Sequence, residues 1–237
     1  QPKLLSTDII HGIFVATYNE SYEVLQPTIE ACVNSSLDMS KYGVLIVAYE
    51  DRAGPQTKAN AERIIKEYGD KFLYAEAIGH PDNIAGEVRG KGGNITYAGH
   101  KFTKWLKQQE IDPQKVMLTT LDADNRVHRQ YFAAMTYTYL VTNKRKFKSF
   151  QPVILYTNNI WDVPAVSRVL ATGNSFWTVM QSLRPHLLRN FSSHTQPMDA
   201  IIEGNYWSVR TVVEDGHQFW RSYFTFDGQH DVVPVFV

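Results

Sequence analysis

LTTLDADNRVH, residues 118–128, decides how this chain is read. Apolar and β-branched residues run straight into two aspartates one residue apart. Charges at the tip of a buried strand are costly unless they meet a partner. Aspartate is common in this chain, so the pair alone reads as readily as a solvated turn, with Asp122 or Asp124 capping the next helix. The surrounding sequence must say which.

Working outward, β-like and helical patterns alternate. HGIFVATY (11–18), GVLIVAYE (43–50), KFLYAEAI (71–78) and KVMLTTLD (115–122) read as strands. Helices are predicted over 26–36, with Pro27 in the first turn, and over 56–69, about 94–109 and 129–141. A polar, glycine-rich loop covers 79–93, and Asn94 opens the helix that follows. Such alternation implies crossover connections and a mainly parallel sheet. In open α/β sheets a ligand lies outside the carboxyl ends of the strands. Those ends carry ATYNE (16–20), Glu50-Asp51, the 79–93 loop and Asp122-Ala123-Asp124. Four polar clusters therefore converge on one rim, which favours a ligand site over a turn.

The last third is less regular. VPAVSRVLATGNSFWTVMQSL (163–183) places Val166, Val169, Leu170, Trp177 and Met180 on one helical face. That stripe reads as core in preference to a membrane-surface role. SSHTQPMDAIIEGNYW (192–207) mixes polar and aromatic residues. EDGHQFWRSYF (214–224) reads as a short helix with Glu214 and Asp215 in its first turn.

Composition limits the alternatives. The 24 basic and 24 acidic residues balance, so no global field points to nucleic acid. One cysteine, Cys32, allows no intramolecular disulfide and suits a reducing compartment. No apolar run approaches the roughly 20 residues of a spanning helix. The chain opens on Gln1 and stops within the β-rich run DVVPVFV (231–237), which reads as a domain excised from a longer protein.

Two carboxylates leaving a strand can share one hard cation. Mg²⁺ and Mn²⁺ prefer oxygen ligands and commonly keep phosphate oxygens in their other positions. The loop GEVRGKGGNITYAGHK (86–101) sets Arg89 and Lys91 among glycines before a helix start, a combination that suits an anion. It has neither P-loop nor GxGxxG spacing. Glu50-Asp51 offers a strand-end acid for a base or ribose, or a plain turn carboxylate. His128 reads as a surface or capping residue.

The order ATYNE, strand-end acid, Lys-Gly-Gly-Asn, Asp-Ala-Asp and a late Glu-Asp resembles family 2 glycosyltransferases of the GT-A fold, from about residue 10 to 226. The resemblance implies an α/β fold with a Rossmann-like, mainly parallel sheet, helices on both faces and a less regular C-terminal acceptor part. It implies one catalytic domain over 1–237, with about 10–125 holding the nucleotide sugar and about 126–237 the acceptor. Ala16, Thr17, Tyr18, Asn19 and Glu20 match the segment that holds the nucleotide. Asp51 matches the acid that contacts the base. Lys91, Gly92 and Asn94 match the segment near the diphosphate. Asp122, Ala123 and Asp124 match the motif that binds the sugar diphosphate and, through Asp122 and Asp124, Mg²⁺ or Mn²⁺. Asp215, beside Glu214, matches the catalytic base.

The implied reaction is inverting transfer from a UDP- or GDP-sugar to a glycan or lipid-linked hydroxyl, as in polysaccharide biosynthesis. The implied location is the cytoplasm, or the cytoplasmic face of a membrane through segments outside this chain. His194, Tyr206 and Trp207 are the expected cradle for an acceptor sugar. Two departures stand out. The family's Ala-Leu-Asn after Lys-Gly is Gly-Asn here. Gln218 and Arg221 echo the Gln-x-x-Arg-Trp motif of processive synthases, but no Trp follows and they lie close to Asp215. A sugar-phosphate nucleotidyltransferase of similar fold and a non-catalytic nucleotide-sugar-binding domain are the competing readings. The first lacks its glycine-rich signature after the first strand, and the second sits poorly with intact Asp122, Asp124 and Asp215.

Overall fold

The computed structural model describes residues 3–158 and 160–237. The four strands expected from the sequence are present as β1 (Ile10–Thr17), β2 (Gly43–Glu50), β3 (Tyr74–His80) and β4 (Val116–Asp122). They run parallel in the order β3-β2-β1-β4. Burial on both faces explains their nearly continuous apolar sequences. Ile13, Val15, Leu45, Val47, Met117 and Leu121 point into one core layer. Their neighbours Phe14, Val44, Ile46, Val116 and Leu118 point into the other. This is the two-residue alternation of a pleated strand.

Helices α1 (Tyr22–Val33), α3 (Pro55–Tyr68) and α5 (Tyr131–Val141) supply side chains to the first layer, together with the single-turn α2 (Met39–Tyr42). Helix α4 (Lys91–Gln108) covers the second. Helix α1 begins four residues before the predicted start, so Pro27 falls inside it. Burial of Tyr22 and Leu25 outweighs the one hydrogen bond that proline removes. Helix α4 likewise starts at Lys91 rather than Asn94.

The sheet continues through three more strands, β5 (Lys148–Pro152), β6 (His194–Pro197) and β7 (Asp231–Val235), of which the sequence reading marked only the β-rich run at 231–237. The full order is β3-β2-β1-β4-β6-β5-β7, with β6 antiparallel to β4 and β5. Strand β6 reads HTQP, and all four residues are buried. Two of its polar side chains are met inside the core: Thr195 Oγ1 shares a hydrogen bond with Thr119 Oγ1 at 2.7 Å, and Gln196 Oε1 accepts from Gln218 Nε2 at 3.0 Å. Helices α7 (Met198–Glu203) and α8 (Glu214–Thr225) follow.

Helix α6 (Ala165–Ser182) corrects an expectation. Its apolar stripe is not core: Val166, Val169, Leu170 and Trp177 are exposed and Met180 is only half-buried. The side turned inward carries Ser175, Thr178 and Ser182. Hydroxyl hydrogen bonds hold that polar side to the protein, which leaves the apolar side in solvent. Among the described residues no helix is long and apolar enough to cross a membrane.

Candidate active site

Parallel pairing sets the rim. Ala16 on β1 is in register with Asp122 on β4, and Thr17 with Tyr49 on β2. Antiparallel β6 starts at the same rim, with His194 opposite Thr120. A cleft of about 450 Å³ opens there. Its walls include Ala16, Thr17, Tyr18 and Glu20 from the loop after β1, Lys91 and Asn94 from the start of α4, and Asp122, Ala123 and Asp124. Glu50 and Arg52 complete it.

Each wall is held by specific bonds. The Glu20 carboxylate accepts from Thr17 Oγ1 at 2.8 Å and from the Tyr18 N–H at 2.7 Å. Helix α3 pins the same loop: Thr57 Oγ1 donates to Tyr18 O and Asn60 Nδ2 to Glu20 O. Thr28 Oγ1 donates to Ala123 O at 2.7 Å. Asn94 Nδ2 donates to Ala48 O at 2.8 Å, while its buried Oδ1 has no partner among the described residues. Gly92 is required by close approach: a Cβ there would lie 2.4 Å from Ser208 O and 3.1 Å from Glu214 Cβ.

Charge concentrates around Lys91. Its ammonium pairs with Asp122 and lies 3.6 Å from Glu214 Oε1. Burial raises the Asp122 carboxyl, but Lys91 and the Ser192 hydroxyl outweigh it and hold the group below its ordinary range. Glu214 goes the other way, because burial outweighs the attraction of Lys91. Asp215 reaches the same place through Ser192. Its Oδ2 accepts from the Ser192 N–H at 2.6 Å, and its Oδ1 from the Gly216 N–H at 2.6 Å. Ser192 Oγ in turn donates to Asp122 Oδ2 at 2.6 Å. Ser192 adopts φ +46°, a left-handed conformation uncommon outside glycine and asparagine.

Several expected residues lie elsewhere. Asp51 does not line the cleft. Its Oδ1 stands over the β2–β3 edge, 2.7 Å from where a Gly79 Cβ would be. The acid in the cleft is its neighbour Glu50, 4% exposed and paired with Arg52, whose guanidinium lies 4.2 Å from the Tyr18 ring centre. Tyr206 and Trp207 are not an acceptor cradle, because both pack in the core against α4, where Gly99 makes room for them. Tyr206 OH is spent on Thr103 Oγ1 at 2.7 Å. His194 is 2% exposed, and burial, reinforced by Lys91, pulls its imidazole down to about 4. It therefore offers an acceptor no open face.

Gln218 and Arg221 turn inward as structural residues. Gln218 Nε2 donates to Gln196 Oε1, and Arg221 Nη2 caps the end of α7 at Gly204 O. His128 serves as a turn residue, its Nδ1 accepting from the Gln130 N–H. Sequence reasoning missed Ser192, Arg52 and also Ser193, whose Oγ accepts from the Asp122 N–H at 3.3 Å; none of them belongs to a spaced motif. It had noted Glu50 only as the neighbour of Asp51.

A divalent cation has a restricted donor set here. Among the described residues no three His, Cys, Asp or Glu side chains are grouped to hold one. Of the carboxylates on the cleft wall, Glu20 is held by Thr17 and Tyr18 and Glu50 by Arg52, which leaves Asp122 and Asp124, one residue apart at the Lys91 end, as the pair placed to share an ion. Two carboxylates with open positions suit Mg²⁺ or Mn²⁺ held jointly with phosphate oxygens, and not a cage made by protein alone.

No protein-family profile matches the chain, and no curated protein sequence does. Solved structures do match. Mannosyltransferase PcManGT from Pyrobaculum calidifontis, in complex with GDP-Man and Mn²⁺, aligns at TM-score 0.62 and 11% identity, over 96% of this chain and 56% of its own. TarS from S. aureus aligns at TM-score 0.53 and 9% identity, over 97% of this chain and 35% of its own. The chain thus spans little more than half of one neighbour and about a third of the other. At such identities the likeness establishes the fold, which is a glycosyltransferase fold of GT-A-like architecture.

Proposed function

We propose that this chain is the catalytic domain of an inverting glycosyltransferase that moves a sugar from a nucleoside-diphosphate sugar to a hydroxyl of a glycan or lipid-linked acceptor. The observation that carries the proposal is the link Asp122–Ser192–Asp215 beside Lys91, at the mouth of a cleft on the carboxyl rim of the sheet. It sets a cationic group and the Asp122/Asp124 pair next to a third, separately held carboxylate, Asp215. Glycosyl transfer needs that division, one part for the leaving diphosphate and one for the incoming hydroxyl.

In this reading residues 10–125 hold the donor. Tyr18, Glu50 and Arg52 take the nucleoside end. The free Asn94 Oδ1 accepts from a donor hydroxyl. Lys91 neutralises diphosphate charge as the glycosidic bond breaks, an electrostatic role that gains force in a site partly closed to water. Asp122 and Asp124 are the residues that would hold Mg²⁺ or Mn²⁺, and the bound ion would supply further charge neutralisation to the departing diphosphate. Residues 126–237 present the acceptor. Asp215 takes the proton from its hydroxyl. The Ser192 and Gly216 N–H groups fix the plane of that carboxylate and leave each oxygen a lone pair. One displacement inverts the anomeric centre and needs no enzyme nucleophile.

Incubation with a panel of UDP- and GDP-sugars and product analysis tests the reading. The expected result is donor consumption by the wild type. Asp215→Asn should still bind the nucleotide but lose turnover by about 10²–10⁴-fold. A fully active Asp215→Asn would remove Asp215 as the base. A new nucleotide–sugar bond among the products would point to a nucleotidyltransferase instead.

A further inference from the structure

Helix α6 is amphipathic in the wrong sense for a protein in water. Ala171, Ser175, Thr178 and Ser182 recur at three- and four-residue spacing and form the side turned to the protein. Thr178 Oγ1 donates to Ile154 O at 2.8 Å, and Ser175 Oγ accepts from the Tyr156 N–H at 2.9 Å. The opposite side presents Val166, Val169, Leu170, Phe176, Trp177 and Leu183, none less than 63% exposed. A surface helix ordinarily buries that stripe. A contiguous apolar face of this kind marks a surface that something else covers.

Charge narrows what covers it. From Val153 to Ser193 the chain carries Arg168, Arg184 and Arg189 against one acid, Asp162, and α6 itself contains no Asp, Glu or Lys. Trp161 stands 80% exposed just before the helix, with the Arg168 guanidinium 5.6 Å from its ring centre. An apolar face with exposed tryptophans and three arginines against one acid along it fits an anionic lipid surface. A symmetric contact with a second copy would set these arginines against one another.

We infer that the outer face of α6 docks on an anionic bilayer, with its apolar side chains in the headgroup boundary and the exposed Arg184 at lipid phosphates. The helix lies on the membrane and does not span it. Docking also bears on the cleft. The 153–158 segment that anchors α6 reaches the rim, where Asn158 Nδ2 donates to Asp124 O at 2.9 Å. The docking face itself includes no donor residue, so the inference stands whether or not the chain transfers sugar.

Flotation of the chain with phosphatidylcholine vesicles, with and without phosphatidylglycerol, tests it. The wild type should float with the anionic vesicles, and its tryptophan emission should shift to shorter wavelength. Leu170→Glu with Trp177→Glu should lower the bound fraction at least about tenfold. Arg184→Glu should weaken binding only where phosphatidylglycerol is present. All of these side chains are exposed, so the variants should keep the wild-type melting temperature and nucleotide affinity. Absence of wild-type flotation, or equal flotation by the Leu170→Glu/Trp177→Glu variant, would overturn the inference. So would a wild-type dimer in light scattering that the same substitutions dissociate, since that assigns the face to a second copy.

Discussion

Asp122 and Asp215 lie 93 positions apart in sequence and are joined by one residue, Ser192, whose hydroxyl donates to the first and whose backbone N–H donates to the second. The serine holds a left-handed backbone to do so. Ser192→Ala should remove the Asp122 bond while keeping the strain. Ser192→Gly should remove the bond and relieve the strain. Both should lose activity, but the glycine variant should be the more stable by about 1 kcal/mol in chemical denaturation. Equal stability of the two would show that the conformation carries no cost.

Asp124 has the exposed half of the carboxylate pair, and Asp122 already answers to Lys91. Calorimetric titration of UDP and GDP with Mn²⁺, then with EDTA, should find binding that depends on the metal. Asp124→Ala and Asp122→Ala should each weaken the metal-dependent part by at least about tenfold. Affinity unchanged by either substitution would sink the metal assignment.

Glu50, not Asp51, lies in the cleft with Arg52. Arg52→Ala leaves a buried carboxylate unpaired and should weaken nucleotide binding by about tenfold or more. Asp51→Ala should change it less than about twofold, as an exposed carboxylate outside the cleft. The reverse ranking would restore Asp51 as the base-contacting acid.

Three buried histidines give the fold an acid limit. Burial pulls His11 down to about 3 and His194 and His230 to about 4, from an ordinary 6.5. The unfolded chain therefore takes up protons first as pH falls below 6.5, and unfolding is favoured. Each histidine should contribute up to about 1.4 kcal/mol of lost stability per pH unit between 6.5 and its folded value, and nothing above that window. His11→Asn should reduce the slope of stability against pH by about that amount, whatever it does to the absolute value. An unchanged slope between pH 6 and 4, measured by denaturant titration at a series of pH values, would contradict the assignment of His11.

The sequence by itself determined the parallel half of the sheet and most of the cleft. Strands β1, β2 and β4 carry long apolar runs because both of their faces are covered, and such runs are legible without a structure. Their carboxyl ends then fix where a ligand sits, so Tyr18, Lys91, Asp122 and Asp124 could be placed on one rim from order alone. What followed Asp124 was less legible. Strand β6 is four buried residues of mixed polarity, and only its pairing with β4 and β5 makes it a strand. Tyr206 and Trp207 look like a sugar platform in the sequence, but contact with α4 makes them core. Glu50 and Asp51 are adjacent acids, and only the geometry at the end of β2 sends one into the cleft. The stripe on α6 has the period of a core face, and the hydroxyls on its other side turn it outward. Periodicity says which residues share a face. Which face meets the protein depends on bonds to residues distant in sequence, and those exist only once the chain has folded.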